Sequence, residues 1–425
     1  MSIGILLLAF ILLIALEVPV AFAMVFSAFL FILTGPGLPE QIVIQRMPGG
    51  LDSFPLLAIP LFVLAGHLFN RAGISERIFD FASAAVGHLK GGLAQVNIAA
   101  SIIFAGMSGV AQADAAGLGA VEIRQMRERG YSAPFAAAVT AASSIIGPII
   151  PPSVIMVIYA VTAQVSLTDL FLAGIVPGLL MGLCLMIMVY VLVRTGVEAA
   201  PQAQRVPRRE LLRTFLRALP ALAAPVLLVV GMLTGVATPT ELGALIVLYA
   251  AILGFINRAL TWKGLLETLA MSAITTGVLV FIIAAAFPFG WLISVQNLPG
   301  IIVGFMQTLT ENPLVLLLIL NVVLLIVGLF LETTAIILIA TPALLPLVAA
   351  YGIDPVHFGV VMILNLLIGS LTPPFGVILF IIKHIAQISF GQMVRAIIPF
   401  YLPLLFVLLM LTFFPQLVLW LPNLF

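Results

Sequence analysis

Residues 147–153 read Gly-Pro-Ile-Ile-Pro-Pro-Ser, and residues 369–376 read Gly-Ser-Leu-Thr-Pro-Pro-Phe-Gly. Each stretch interrupts an apolar run otherwise long enough to cross a bilayer as one helix. Proline has no N–H to donate and its ring clashes with the preceding turn, so Pro148, Pro151-Pro152 and Pro373-Pro374 are helix breaks. Inside a bilayer no water meets the freed backbone groups, so a break there needs other protein groups or an ion to take them up.

The surrounding composition sets the class. The chain has 425 residues, 63% hydrophobic and 8% charged, with a mean hydropathy of +1.31. Soluble domains carry about 25% charged residues, so the expectation is an all-α polytopic membrane protein and not a globular enzyme. A net charge of +1 with no basic, aromatic-interleaved patch offers nothing to nucleic acid. Cys184 is the only cysteine, which excludes an internal disulfide and a thiolate metal cluster. The first sixteen residues lack a basic leader and a small-residue cleavage site, so they read as a first membrane helix.

Charge placement gives the topology. The 17 Lys and Arg residues fall in clusters at 71–90, 124–129, 194–217, 258–263 and 383–395, with Arg46 alone outside them. Placing all five clusters in the cytoplasm satisfies the positive-inside rule and puts both termini on the periplasmic side. Candidate spans are then 2–16, 18–34, 51–70, 133–163, 169–194, 218–237, 239–257, 268–295, 355–382 and 396–420, about ten in all.

Two apolar segments do not fit this count. Residues 92–123 lie between two basic clusters, so they must enter and leave on one face, turning at Gly106-Met107-Ser108-Gly109. Each arm of about 13 residues is about 20 Å of helix, enough to pass the centre of the bilayer. Residues 313–350 behave the same way from the opposite face, with a polar middle at Glu332-Thr333-Thr334. Both read as re-entrant helical hairpins.

The halves correspond. An offset of 222 (373 − 151) carries Pro151-Pro152 onto Pro373-Pro374, Gly106 onto Gly328, Gly130 onto Gly352, and Ile146-Gly147 onto Ile368-Gly369. The order of hairpin, loop and broken helix is kept, and the copies start on opposite faces, so this is an inverted repeat. Interrupted hydrophobic segments in matching places of two halves point to a transporter's binding site. Residues 194–217, with Pro201 and Pro207, form the polar linker between them.

The breaks suggest what is bound. Unwound carbonyls and hydroxyls suit a desolvated hard cation such as Na⁺. One set is Gly106, Ser108, Gly147, Ile150 and Ser153; the other is Gly328, Thr333, Thr334, Gly369, Thr372 and Phe375. Ile150 and Phe375 would contribute carbonyls only. Half-helix N-termini after each Pro-Pro pair would suit a carboxylate. Asp114, Ser143, Asn365 and Glu332 are substrate-binding candidates, each with a capping or packing alternative. His67, His88, His357 and His384 are scattered and form no ligand set.

Residues 104–131, "FAGMSGVAQADAAGLGAVEIRQMRERGY", followed by "GPIIPPSVIMVIYA" at 147–160, resemble the large membrane subunit of TRAP transporters, the DctM type. "DPVHFGVVMILNLLIGSLTPPFGVILF" at 354–380 is similar to the second-half signature, as are "FPLLAIPLFVLAG" at 54–66 and "AGIVPGLL" at 173–180. The resemblance runs essentially end to end. It departs at Val110, where a small polar residue is more usual.

The resemblance implies an importer of organic acids (C4-dicarboxylates, sialic acid, sugar acids or keto acids) in the bacterial inner membrane. It implies two Na⁺ sites, a small four-helix membrane subunit of the DctQ type, and an extracytoplasmic binding protein of the DctP type. It also implies an elevator. The scaffold would be 1–91, 166–312 with linker 195–217, and the C-terminal helix at 386–425. The transport domain would be 92–165 and 313–385. Two other readings stay open. One is a stand-alone Na⁺/carboxylate symporter of the same superfamily. The other is an intramembrane serine protease, because 106–109 matches the pattern G-x-S-G of rhomboid enzymes. No histidine lies in an expected span with a path to Ser108.

Overall fold

A computed structural model describes residues 3–35, 37–199, 201 and 205–425, apart from the side chains of Ser108 and Ala113. The described residues form helices and no strand. Each half of the molecule carries the same run of elements, and short-range signals set their ends.

In the first half, helix Leu93–Ser108 rises to a turn at Gly109, whose φ of 65° is left-handed. The chain returns through Ala111–Ala116 and Leu118–Glu128, and these helices make up the first hairpin. Ser132 then accepts from the Phe135 amide and Pro134 occupies the opening turn, starting helix Ala133–Ser144. The helix breaks over 145–153 and resumes as Val154–Ala163, completing the first broken helix. Ser166 caps the long helix Leu167–Arg194.

In the second half, Asn312 caps Pro313–Gly328, and Glu332 caps the return arm Thr333–Ala350, giving the second hairpin. Asp354 accepts from the Val356 and His357 amides to start Pro355–Ser370, which breaks and resumes as Val377–Ala386. Ser389 and Gln392 form a capping box at the start of Phe390–Phe413. Gly130 and Gly352, 222 residues apart, both take positive φ, at 89° and 65°.

Packing crosses between the halves. Val377–Ala386, from the second half, lies against Ala133–Ser144 and the return arm of the first hairpin. Val154–Ala163, from the first half, lies against Thr333–Ala350. The Tyr159 hydroxyl donates to the Pro355 carbonyl at 2.6 Å and joins the halves directly. Helices Leu167–Arg194 and Phe390–Phe413 pack on each other and on both broken helices. Tyrosines pin the feet of the two hairpins. Tyr131 donates to the Gly91 carbonyl at 2.8 Å, and Tyr351 to that of Thr310 at 2.6 Å.

The span count differs from the ten expected. Among the described residues, seven helices are long and apolar enough to cross a membrane, or up to eight if the bent pair Leu298–Leu309 and Pro313–Gly328 is one span. The breaks cut 133–163 and 355–382 into halves of at most 16 residues, and the first two helices hold 12 and 15. Short helices Gln41–Gly49, Ile74–Val86 and Leu298–Leu309 fill stretches where no span was expected. In Ile74–Val86, Ile74, Ile78, Phe79 and Ala82 are buried, the spacing of one amphipathic face.

Candidate functional site

Both breaks lie against a hairpin tip. Both Pro-Pro bonds, Pro151–Pro152 and Pro373–Pro374, are cis. At the first break, the Val154 amide donates to the Gly109 carbonyl at 3.4 Å, so the tip supplies an acceptor where the helix restarts. A Cβ on Gly109 would overlap the Pro152 carbonyl, so the two backbones can meet this closely only with glycine at the tip. Ser153 donates from Oγ to the Pro148 carbonyl at 2.6 Å and accepts from the Met156 amide at 3.2 Å.

Of the first expected ion set, Gly106, Gly147, Ile150 and Ser153 gather around this break. A Cβ on Gly106 would lie 3.8 Å from the Pro151 carbonyl. The Ile150 side chain packs on Gly178 of the long helix Leu167–Arg194. Ser108 ends its helix, and its side chain lies outside the described residues. Asp114 is buried with its carboxylate directly against Gly147, which places it at the first break. Gly109 is a member of the site that sequence reasoning had taken only as part of a turn.

At the second break the approach is glycine on glycine. A Cβ on Gly369 would lie 2.9 Å from Gly328 Cα and 3.0 Å from its carbonyl oxygen. The Thr372 amide donates to Gly369 O at 2.8 Å, and its Oγ1 donates to Ile368 O at 2.8 Å. The Tyr401 hydroxyl donates to Leu371 O at 2.6 Å. Thr333 and Thr334 are buried. Phe375 is 58% exposed and pairs with Phe330, 52% exposed, at a centroid distance of 6.2 Å.

The remaining candidates have identifiable neighbours. The Glu332 carboxylate accepts from Thr334 Oγ1 at 2.8 Å and from the Ala335 amide at 3.2 Å, a helix cap. Ser143 donates to Asn97 Oδ1 at 2.8 Å and accepts from Ser101 at 3.0 Å. Asn365 donates from Nδ2 to Asn321 Oδ1 at 3.0 Å, and Asn321 donates to Thr412 at 2.9 Å. Ser143 and Asn365, equivalent under the offset of 222, thus each tie a broken helix to its hairpin arm. Asn365 Oδ1 itself has no hydrogen-bond partner among the described residues.

The donor chemistry fits a hard monovalent cation. No group of three or more His, Cys, Asp or Glu side chains able to hold a metal occurs among the described residues. What the breaks collect is backbone carbonyls and hydroxyls, with the Asp114 carboxylate beside the first, and hard cations prefer such oxygen donors. A hydroxyl that donates its proton to a carbonyl, as Ser153 and Thr372 do, keeps lone-pair density for a cation.

Comparison with known proteins follows the same lines. The profile of the family described as "Tripartite ATP-independent periplasmic transporter, DctM component" matches residues 7–417. The sialic acid TRAP transporter large permease protein SiaM of Vibrio cholerae is 44% identical over 409 residues, 96% of this chain and 95% of that one. The 2,3-diketo-L-gulonate TRAP transporter large permease protein YiaN of Escherichia coli is 37% identical, covering 95% of each. The C4-dicarboxylate TRAP transporter large permease protein DctM of Pseudomonas aeruginosa is 37% identical over 88% of this chain and 87% of that one. Among solved structures, the YdaH transporter of Alcanivorax borkumensis superposes with a TM-score of 0.64 at 16% identity. That match covers 88% of this chain and 87% of that one, a likeness of fold.

Proposed function

The chain belongs to the DctM component family of tripartite ATP-independent periplasmic transporters and is a secondary transporter rather than an enzyme, and from that premise we propose how it works. It is the large permease that imports an organic acid across the bacterial inner membrane, driven by a Na⁺ gradient. Relatives carry the names of sialic acid, 2,3-diketo-L-gulonate and C4-dicarboxylates, so the cargo class is a carboxylate. The partners are a small membrane subunit and an extracytoplasmic binding protein that delivers the substrate.

One observation carries this reading: two Pro-Pro breaks 222 residues apart each meet a hairpin tip through backbone contact. Such paired broken helices at matching places are how secondary transporters build ion sites. The two halves form an inverted repeat. Na⁺ sits at Gly106, Ser108, Gly147, Ile150 and Ser153 in the first and at Gly328, Thr333, Thr334, Gly369, Thr372 and Phe375 in the second. Substrate lies between the tips, within reach of Asp114, Ser143, Asn365 and Glu332.

Movement is of the elevator type. The moving body extends beyond 92–165 and 313–385, because helices Leu167–Arg194 and Phe390–Phe413 pack on both broken helices. The cytoplasmic linker then begins after Arg194 and tethers that body to the scaffold.

The test is uptake of a panel of labelled carboxylates into liposomes holding this chain, its small subunit and its binding protein. Uptake is expected only with an inward Na⁺ gradient and all three components. Equal uptake by this chain alone supports the stand-alone symporter, and uptake indifferent to Na⁺ removes the ion assignment.

A further inference from the structure

Glu122 lies in the return arm of the first hairpin, and 1% of it is exposed. Among the described residues no hydrogen-bond donor reaches its Oε1, and no salt bridge includes it. A buried carboxylate with one oxygen left unpartnered is disfavoured as an anion. Glu332, at the other hairpin, is the contrast: two donors hold its carboxylate.

The elements packed on Leu118–Glu128 bring no compensating charge. Ala133–Ser144 and Leu93–Ser108 contain no ionisable side chain. Ala111–Ala116 brings Asp114, whose charge has the same sign and acts on Glu122. Val377–Ala386 brings Lys383 and His384. The Lys383 ammonium sits over the Phe380 and Phe390 rings, at 5.0 and 5.7 Å, and His384 is exposed. On the same helix Arg124, Arg127 and Glu128 are exposed, with Arg127 donating to Ala386 O at 3.4 Å.

Leu118–Glu128 is neither one of the helices long and apolar enough to cross a membrane nor one of the shorter apolar helices. Gly117 and Val121 line a cavity of about 470 Å³ shared with His67, Asn70, Ser75 and Glu76.

We infer that Glu122 is a proton-binding site of this permease, a neutral carboxylic acid while the hairpin foot is packed. This goes beyond the Na⁺ reading and does not depend on it. The proton fills the place that a donor fills at Glu332. A monovalent cation at the same oxygen is the competing occupant.

The test is infrared pH titration of the full chain in lipid, with and without Na⁺, for wild type and Glu122→Gln. Wild type is expected to show a protonated-carboxyl C=O band near neutral pH that Na⁺ leaves unchanged and that E122Q lacks. A band kept in E122Q, or one that Na⁺ abolishes, overturns the proposal. If E122Q does not fold, wild-type melting decides. The folded state would hold a proton that the unfolded state releases, so stability falls as pH rises through neutrality. A melting temperature flat across that window, or rising through it, overturns the inference. Neither readout requires transport, so failure here is distinct from failure of the import reading.

Discussion

The two hairpin tips meet their broken helices in different ways. At the first, a left-handed glycine presses its backbone on Pro152 and accepts a hydrogen bond from Val154. At the second, Gly328 and Gly369 touch with no bond between them, and two exposed phenylalanines stand beside the contact. The sequence device is shared, but the first tip contact carries a left-handed residue and a hydrogen bond, and the second is a glycine-on-glycine approach. Away from the tip, the Asn365–Asn321 hydrogen bonds tie the same two helices that carry Gly328 and Gly369.

Gly109→Ala tests this difference most severely. It adds a left-handed strain of about 1–2 kcal/mol to overpacking of about 1–3 kcal/mol against the Pro152 carbonyl. We expect the melting temperature and Na⁺-driven uptake to fall together, with little uptake left. Gly369→Ala should cost less, about 1–3 kcal/mol, because its φ is ordinary and only the contact with Gly328 tightens. Gly328→Ala should be milder still, since its Cβ would sit 3.3 Å from Gly369 Cα. Equal damage at all three positions would erase the distinction between the tips.

Asn365→Ala has the smallest effect on the comparison. It removes hydrogen bonds to Asn321 worth about 1 kcal/mol in total stability. If Asn365 only ties helices, substrate KM stays constant while the melting temperature drops. A raised KM at an unchanged melting temperature places its free Oδ1 on the substrate instead.

The parts legible in the sequence were those written in residues with one physical meaning. The paired prolines Pro151-Pro152 and Pro373-Pro374 marked the two breaks, whereas the ends at Ser144 and Ser370 were not legible, because single prolines such as Pro177, Pro225 and Pro342 sit inside helices. The offset of 222 marked Gly328 and Gly369 as partners of Gly106 and Gly147 before any contact was known. Other features depended on packing. Gly109 reads as an ordinary turn residue until Pro152 is placed against it. The helices at 41–49, 74–86 and 298–309 hold 9, 13 and 12 residues, too short to stand out as apolar spans of about 20. Glu122 stands two residues before the basic stretch 124–129, where an acid reads as part of a solvated face. Only the fold shows that it points inward.

The central claim is that each break holds a Na⁺, and a titration of uptake against Na⁺ tests it most directly. The assay compares wild type with Ser153→Ala, Thr372→Ala and the double variant, in liposomes with both partners. Ser153→Ala also loses a helix cap worth about 1 kcal/mol, so folded protein must be measured alongside. Each single variant is expected to raise the half-saturating Na⁺ concentration more than the substrate KM, by roughly tenfold, equivalent to about 1.4 kcal/mol. The double variant should combine both losses. Na⁺ dependence unchanged in both single variants, with the proteins folded, would contradict it.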